Sequence, residues 1–424
     1  MDLPKTAKLK AKISQISQKD YEQLTLESVK DARGYIKNYW PKLVRQNTKD
    51  EDTLIGLPHK YLVPAFERGH EFDFNELYYW DSYFMVQGIM DERHRELVLG
   101  ILENLLSLFE RFKIIPNASR TYLMGRSQPP ILTSFIMDVY KAYKLDKKWL
   151  ARAITIAEAE YNTVWMGTTK PNARQVYEGL SRYYDVNYLN DLAEAESGWD
   201  MTPRFSRKCL NYLPVDLNCL LYKYERDFAY ARRLLGQETE AVAWEKAAHE
   251  RRIAINQLMW SEVRGLYYDY DYVKRRRGSV DSLAAYYSLW AGVASEKQAA
   301  RLVRSLKRFE HKGGLSTTNA MPLNQFVPGG MPMQWAYPNG WAPLHFIAVA
   351  GLLKYGYGKE ARRIALKWLS TNLKWFNKHG VFLEKYNVVQ PDKPPLKGVY
   401  PSQTGFGWTN SVFEYFCQQF LDKV

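Results

Sequence analysis

Cysteine is nearly missing from this 424-residue chain. The three present are Cys209, Cys219 and Cys417. An odd, low count without metal-ligand spacing excludes a disulfide framework and a thiolate zinc site, and it points to a reducing compartment. Histidine is scarce too, at seven residues. No Ser/His/Asp or Cys/His arrangement emerges, and His311 and His345 are expected to be structural. No apolar run reaches the length of a membrane span. The opening Met1-Asp2-Leu3-Pro4-Lys5 lacks the apolar core of a signal peptide, so a cytoplasmic protein with no membrane partner is expected. The Gly-Gly pairs at 313–314 and 329–330 lack the strand-to-helix context of a phosphate loop. Alternating strand patterns are few, and no Pro/Gly/Ser-rich linker divides the chain.

Aromatic residues are plentiful, 15% of the chain with 31 Tyr and 13 Trp. Most belong in a core, but a surplus also suits carbohydrate, whose C–H faces pack on flat rings while Tyr and Trp keep a polar handle. The net charge is +13. Much of the excess sits in Lys5, Lys8, Lys10 and Lys12 and in Lys274-Arg275-Arg276-Arg277. A nucleic-acid partner must be weighed against such a charge. No zinc or RNA-binding signature accompanies it, so a solvated basic surface is expected and no nucleic-acid partner.

Helical periodicity dominates beyond about residue 84. Leu97, Ile101, Leu105, Leu108 and Phe112 form one apolar stripe. Ala361, Ile364, Ala365, Trp368, Leu369 and Phe376 form another. Similar stripes run through 130–144, 149–165, 216–235, 239–260, 280–294, 296–309, 341–354 and 407–421. Residues 1–50 read as a basic helical arm packed outside a single domain over 51–424. Tyr267 to Asp271 reads as a short strand or an extended loop. The unusual sequences fall between helices, at 64–84, 116–130, 196–205, 328–343 and 382–410. An antiparallel helical toroid would gather such loops at one end, where functional residues concentrate.

Each loop carries candidate chemistry beside a plainer alternative. In 74–84, acidic and aromatic residues alternate without helical or strand logic; Asp81 suits two sugar hydroxyls and Trp80 suits a ring face, or the stretch is a buried structural loop. Asn117, Arg126, Ser127 and Gln128 offer the donors that neutral polyols need, or they cap and turn the chain before Pro129-Pro130. Asp200 follows Gly198-Trp199. Burial there would raise its carboxyl towards the range of a general acid, or it is an N-cap. Trp335 belongs to 328–343, which is too aromatic for a solvent loop and reads as a cleft wall or a packed loop. Glu384 sits among apolar and aromatic neighbours just before the Gly-punctuated Pro401 to Asn410. Asp200 and Glu384 are expected to face each other across a sugar-sized pocket.

At these residues the chain resembles the trehalases, inverting hydrolases of α,α-trehalose built as an (α/α)6 barrel. The likeness runs from about 60 to 420 over five ordered motifs. Phe74, Glu76, Tyr78, Trp80, Asp81 and Tyr83 fit the first signature. Asn117 with Arg126 to Pro130 fits the next segment, and Gly405 to Asn410 fits the closing one. The Ser-Gly-Trp-Asp motif puts the catalytic acid at Asp200, and Glu-Lys-Tyr puts the base at Glu384. The resemblance implies an all-α (α/α)6 barrel with active-site loops at one end. It implies sugar binding by Phe74, Tyr78, Trp80, Asp81, Asn117, Arg126, Ser127, Gln128, Gly198 and Trp335, with no metal or cofactor, and a monomer acting on a disaccharide or glucoside.

Four departures fall at positions where the family contacts sugar. Asp73 stands for an arginine, Ala336 for an aspartate and Val399 for a glutamate, and an Arg-Pro-Glu stretch has no counterpart between Arg182 and Glu196. Losing a buried hydrogen-bond partner costs orders of magnitude in discrimination. Glycoside hydrolysis is therefore better supported than trehalose as its substrate, and trehalose stands as the first expectation among substrates. An inverting hydrolase of another α-linked glucoside, or a non-catalytic sugar-binding descendant, is the alternative.

Overall fold

A computed structural model describes residues 24–66, 74–321, 333–396, 398 and 402–423. The N-terminal lysines, Asp73, the segment 328–332 and Val399 lie outside the described residues. Thirteen α-helices are present among them. They are α1 Lys30–Leu43, α2 Tyr79–Val86, α3 Arg95–Phe112, α4 Leu132–Tyr143, α5 Lys147–Glu160, α6 Asn190–Glu196, α7 Val215–Leu234, α8 Glu238–Met259, α9 Tyr287–Ala291, α10 Glu296–Ser305, α11 Ala342–Lys354, α12 Gly358–His379 and α13 Gly407–Phe420.

Local chemistry sets several boundaries. The Asp146 side chain accepts from the Trp149 N–H and starts α5. Ser295 and Gln298 form a reciprocal capping box on α10. Pro343 sits in the first turn of α11, where its missing N–H costs nothing. Gly380 closes α12 in the left-handed conformation.

Packing sorts twelve of the helices into two rings. Contacts run from α4 to α7, α7 to α9, α9 to α11, α11 to α13 and α13 to α2. The Tyr83 ring against Phe135, at 6.0 Å, closes the circle between α2 and α4. Outside lie α1, α3, α5, α8, α10 and α12. The largest helix pairing, α7 with α8, joins an inner member to an outer one. This is an (α/α)6 barrel, as the motifs implied.

Two expectations change in detail. The stretch 74–84, which shows no helical logic, becomes helix from Tyr79 onward. All eight residues of α2 are buried, so no polar face is left to write a period into the sequence. The stripe at 280–294 is realised as a short 3-10 turn, Leu283–Tyr286, followed by α9. The strands are two or three residues long. The expected piece around Tyr267–Asp271 supplies two of them, Leu266–Tyr267 and Tyr270–Asp271. One ladder bears on the site: β1 Asn339–Trp341 runs antiparallel to β2 Lys385–Asn387, with Trp341 opposite Lys385.

Candidate active site

The first turns of α2 and α13, and the loops leading into α4 and α11, converge on one cavity of about 430 Å³. Trp80 and Asp81 open α2. The Trp80 N–H donates to Gln128 Oε1 at 2.9 Å, and Gln128 Nε2 reaches Asp81 Oδ2 at 3.4 Å. One glutamine thus locks the start of α2 to the loop before α4. Burial pushes the Asp81 carboxyl up to about 7. The Gln128 hydrogen bond opposes the rise, and the charges of Asp200 and Glu384 add to it.

Asp200 sits in the turn after α6, and a glycine makes the turn possible. Gly198 has φ +72°, and a Cβ there would lie 2.6 Å from the Trp80 indole. Only glycine combines that conformation with that approach. Three hydrogen bonds fix residues 200–202. Thr202 N–H donates to Glu194 at 2.6 Å, Gln334 Nε2 to the Asp200 carbonyl at 2.7 Å, and Trp335 N–H to the Met201 carbonyl at 3.1 Å. The N-cap alternative for Asp200 fails, because Thr202 caps the next 3-10 turn. Burial pushes the Asp200 carboxyl up to about 7, and the Glu384 charge raises it further while Lys385 and Arg126 oppose.

Glu384 lies in the bend before β2 and is 2% exposed. Its N–H donates to the Gln403 carbonyl at 3.0 Å. Its own carbonyl accepts from Trp408 Nε1 at 3.1 Å and Thr409 Oγ1 at 3.3 Å. Its carboxylate accepts from Lys385 Nζ at 2.7 Å. The start of α13 therefore holds the backbone, and the adjacent lysine holds the carboxylate.

Three indoles wall the cavity. Trp80, Trp335 and Trp408 stand 6.0 to 6.3 Å apart between ring centroids, tilted or edge to face. Trp335 is stacked flat on Trp341 at 3.8 Å.

Asp200 and Glu384 both line this cavity, as do Phe74, Tyr78, Trp80, Asp81, Asn117, Arg126, Gln128, Gly198 and Trp335. Ser127 does not. Its hydroxyl donates to the Ile115 carbonyl and its N–H to Glu196, so it braces the loop from behind. The Asn117 amide also ties loops together, donating to the Ser127 carbonyl at 3.1 Å and more weakly to that of Ala195. Ala336 is buried outside the lining. His345 is structural, as expected: Leu315 N–H donates to its Nε2, and burial pushes the ring down to about 3. Among the described residues no group of His, Cys, Asp and Glu could hold a metal, and all three cysteines are buried free thiols.

Pro64, Tyr122, Leu123, Ala195, Gln403, Phe406 and Trp408 also line the cavity. The last three fall in the Gly-punctuated stretch before and into α13, whose aromatics were the available signal. Tyr122 is 64% exposed at the mouth, and nothing in its spacing marked it. Lys385 had one usable sign, a lone cation among aromatic and apolar letters.

The two rings and the acidic, indole-walled cavity at one end define an (α/α)6-barrel protein. A sequence profile described as Trehalase matches residues 3–191 and 185–421, and the chain belongs to the trehalase family. A cytosolic neutral trehalase of Beauveria bassiana is 32% identical over 86% of this chain and 59% of its own length. One from Kluyveromyces lactis is 32% identical over 86% of this chain and 56% of its own. This chain thus spans under three fifths of these relatives. The solved neutral trehalase Nth1 of Saccharomyces cerevisiae superposes with a TM-score of 0.75 at 28% identity, covering 86% of this chain and 74% of that one. A GH63 mannosylglycerate hydrolase of Thermus thermophilus, solved with glucose, shares the fold with a TM-score of 0.66 at 17% identity, covering 91% and 99%.

Proposed function

We propose that this chain hydrolyses α,α-trehalose to two glucose molecules with inversion, Asp200 acting as general acid and Glu384 as general base. The observation that carries the reading is the pairing of these carboxyls in one indole-walled cavity, with the Asp200 carboxyl raised to about 7. Near neutral pH a substantial share of Asp200 therefore keeps its proton. That proton passes to the glycosidic oxygen as the C1–O bond breaks. Glu384 takes a proton from water, whose oxygen bonds to C1 from the opposite face. Asp81, Arg126 and Gln128 have the polar atoms to hold hydroxyls, and Trp80 and Trp335 have the apolar faces for the ring. The family membership and the two relatives named as cytosolic neutral trehalases support trehalose as substrate and the cytoplasm as location. We also read residues 51–424 as one barrel domain with the preceding segment packed on it, working as a monomer. The Arg33 clasp on Glu414 and Asp422 of the last helix and tail supports that packing.

Early proton NMR of the products tests the chemistry. Attack by water makes one β-glucose, and the departing sugar leaves as α-glucose, so equal amounts of the two anomers are expected before mutarotation. Asp200→Asn and Glu384→Gln are each expected to lower kcat by roughly 10²–10⁴-fold; near-wild-type turnover in either overturns the assignment. As pH rises through about 7 the acid loses its proton, so kcat/KM falls on that side. A second reading, another α-linked glucoside, rests on the resemblance, which expects a carboxylate where Ala336 stands, although Ala336 lies outside the cavity lining. Glucose release from a panel of α-linked disaccharides decides between the two, and sugar binding without release from any of them marks a non-catalytic descendant.

A further inference from the structure

Lys385 takes no part in the chemistry above, yet its placement is costly and specific. Its side chain is 0% exposed beside a carboxylate that is 2% exposed. A buried ammonium is stable only when paired and hydrogen-bonded. Adjacent side chains on a strand leave opposite faces. Lys385 and Glu384 meet because the ladder begins at Lys385, held opposite Trp341, while Glu384 belongs to the bend before it. The Trp341 ring lies 5.0 Å from Nζ. An aromatic face therefore supports the cation from one side while the carboxylate meets it at 2.7 Å.

The charges around this pair come from several elements. Asp81 on α2 and Asp200 after α6 act on Glu384 as it acts on them. Arg126, in the loop before α4, acts on Asp200 and is itself tied to Asp185 at 3.1 Å. From α13, neutral Trp408 and Thr409 hold only the Glu384 backbone carbonyl. Three carboxyls thus share one small cavity, and Lys385 is a cation in direct contact with Glu384.

We propose that Lys385 is a positioning residue for the hydrolysis: its ammonium holds the Glu384 side chain as the anion and pins one carboxylate oxygen, so that the base is charged and oriented before substrate arrives. This rests on the hydrolase reading above. Without the ammonium, a carboxylate that is 2% exposed beside two other carboxyls loses the partner that favours its charge and fixes its direction.

The test is the pH profile of the full chain with Lys385→Met. The expected result is a fall in kcat of roughly tenfold or more, KM within about threefold, and an acidic limb of kcat/KM moved upward by about one pH unit. The basic limb is expected to move up by less, because Lys385 also acts on Asp200. With Lys385→Ala, methylammonium added to the assay is expected to restore turnover and return the acidic limb. An acidic limb that stays where the wild type has it overturns the proposal, whatever happens to kcat. Loss of the folded circular dichroism spectrum in both variants assigns the pair to stability alone and also overturns it. Asp200→Asn and Glu384→Gln, assayed in parallel, separate the two claims. If they keep their activity, the hydrolase reading falls. If they lose it while the Lys385 variants titrate as wild type, only the role of Lys385 falls.

Discussion

Asp200 is a carboxyl that the fold holds against its own preference. In the unfolded chain it ionises in the ordinary range, but buried here it titrates at about 7. Between those values the folded state binds a proton that the unfolded state releases, so folding stability declines as pH rises through that window. Removing this carboxyl should reverse the penalty. Asp200→Asn is expected to melt higher than the wild type at pH 8 by an amount on the order of 1–3 kcal/mol, with a smaller gain at pH 5, read by thermal unfolding at both values. At this scale the meeting of Asp200 and Glu384 at one cavity was legible in the sequence. Asp200 and Glu384 stood in short strings, Ser-Gly-Trp-Asp and Phe-Leu-Glu-Lys-Tyr, whose neighbours serve the carboxyls directly: Gly198 gives the turn its conformation and Lys385 gives the Glu384 carboxylate its counter-charge. Ser127 misled because a hydroxyl in a polar string looks the same whether it faces the cavity or braces the loop behind it.

Among the elements, the part least visible in the sequence is the tie between the turn that carries Asp200 and the rest of the wall. Arg204 is fully buried between Asp216, at 2.6 Å in the first turn of α7, and Asp269, at 2.7 Å. Its guanidinium lies 4.3 Å over Trp199, and Trp199 stacks in turn on Trp335 at 5.5 Å. One cation therefore couples the turn after α6, the start of α7 and the strand pieces near 270. Arg204→Met leaves two buried carboxylates without their shared cation and is expected to cost about 3–5 kcal/mol in chemical denaturation. Arg204→Lys is expected to recover part of that, lacking the planar fork. No spacing in the sequence announces such a triad, because its members are brought together only by the fold. Helix α2 was hidden for a related reason: a helix buried on every side carries no periodicity. The long outer helices α3 and α8, with one wet face each, were legible to within two residues at either end.

The whole molecule carries a net charge of +13, yet most of its described arginines are paired with carboxylates, and the excess is conspicuous at the exposed run from Lys274 to Arg277. A neutral sugar feels no long-range field. Raising the salt from about 50 to 500 mM is therefore expected to change kcat/KM for a neutral disaccharide by less than about twofold; a strong salt dependence would point to an anionic substrate instead. The closed double ring itself was not readable from hydrophobic stripes, which give helices but not their order around a circle. The order came from the resemblance, and contacts such as α13 on α2, joining the end of the chain to its early part, make it a physical fact. The parallel overlap of Trp335 and Trp341, with Trp80, Trp199 and Trp408 around it, has an optical consequence. Neighbouring indoles at that spacing share their electronic excitation, and one of the stacked pair forms the wall against which a ligand would rest. The unlabelled protein thus contains its own chromophore at the binding cavity, so that occupancy can be followed in near-ultraviolet circular dichroism or intrinsic emission without a dye or a coupled assay.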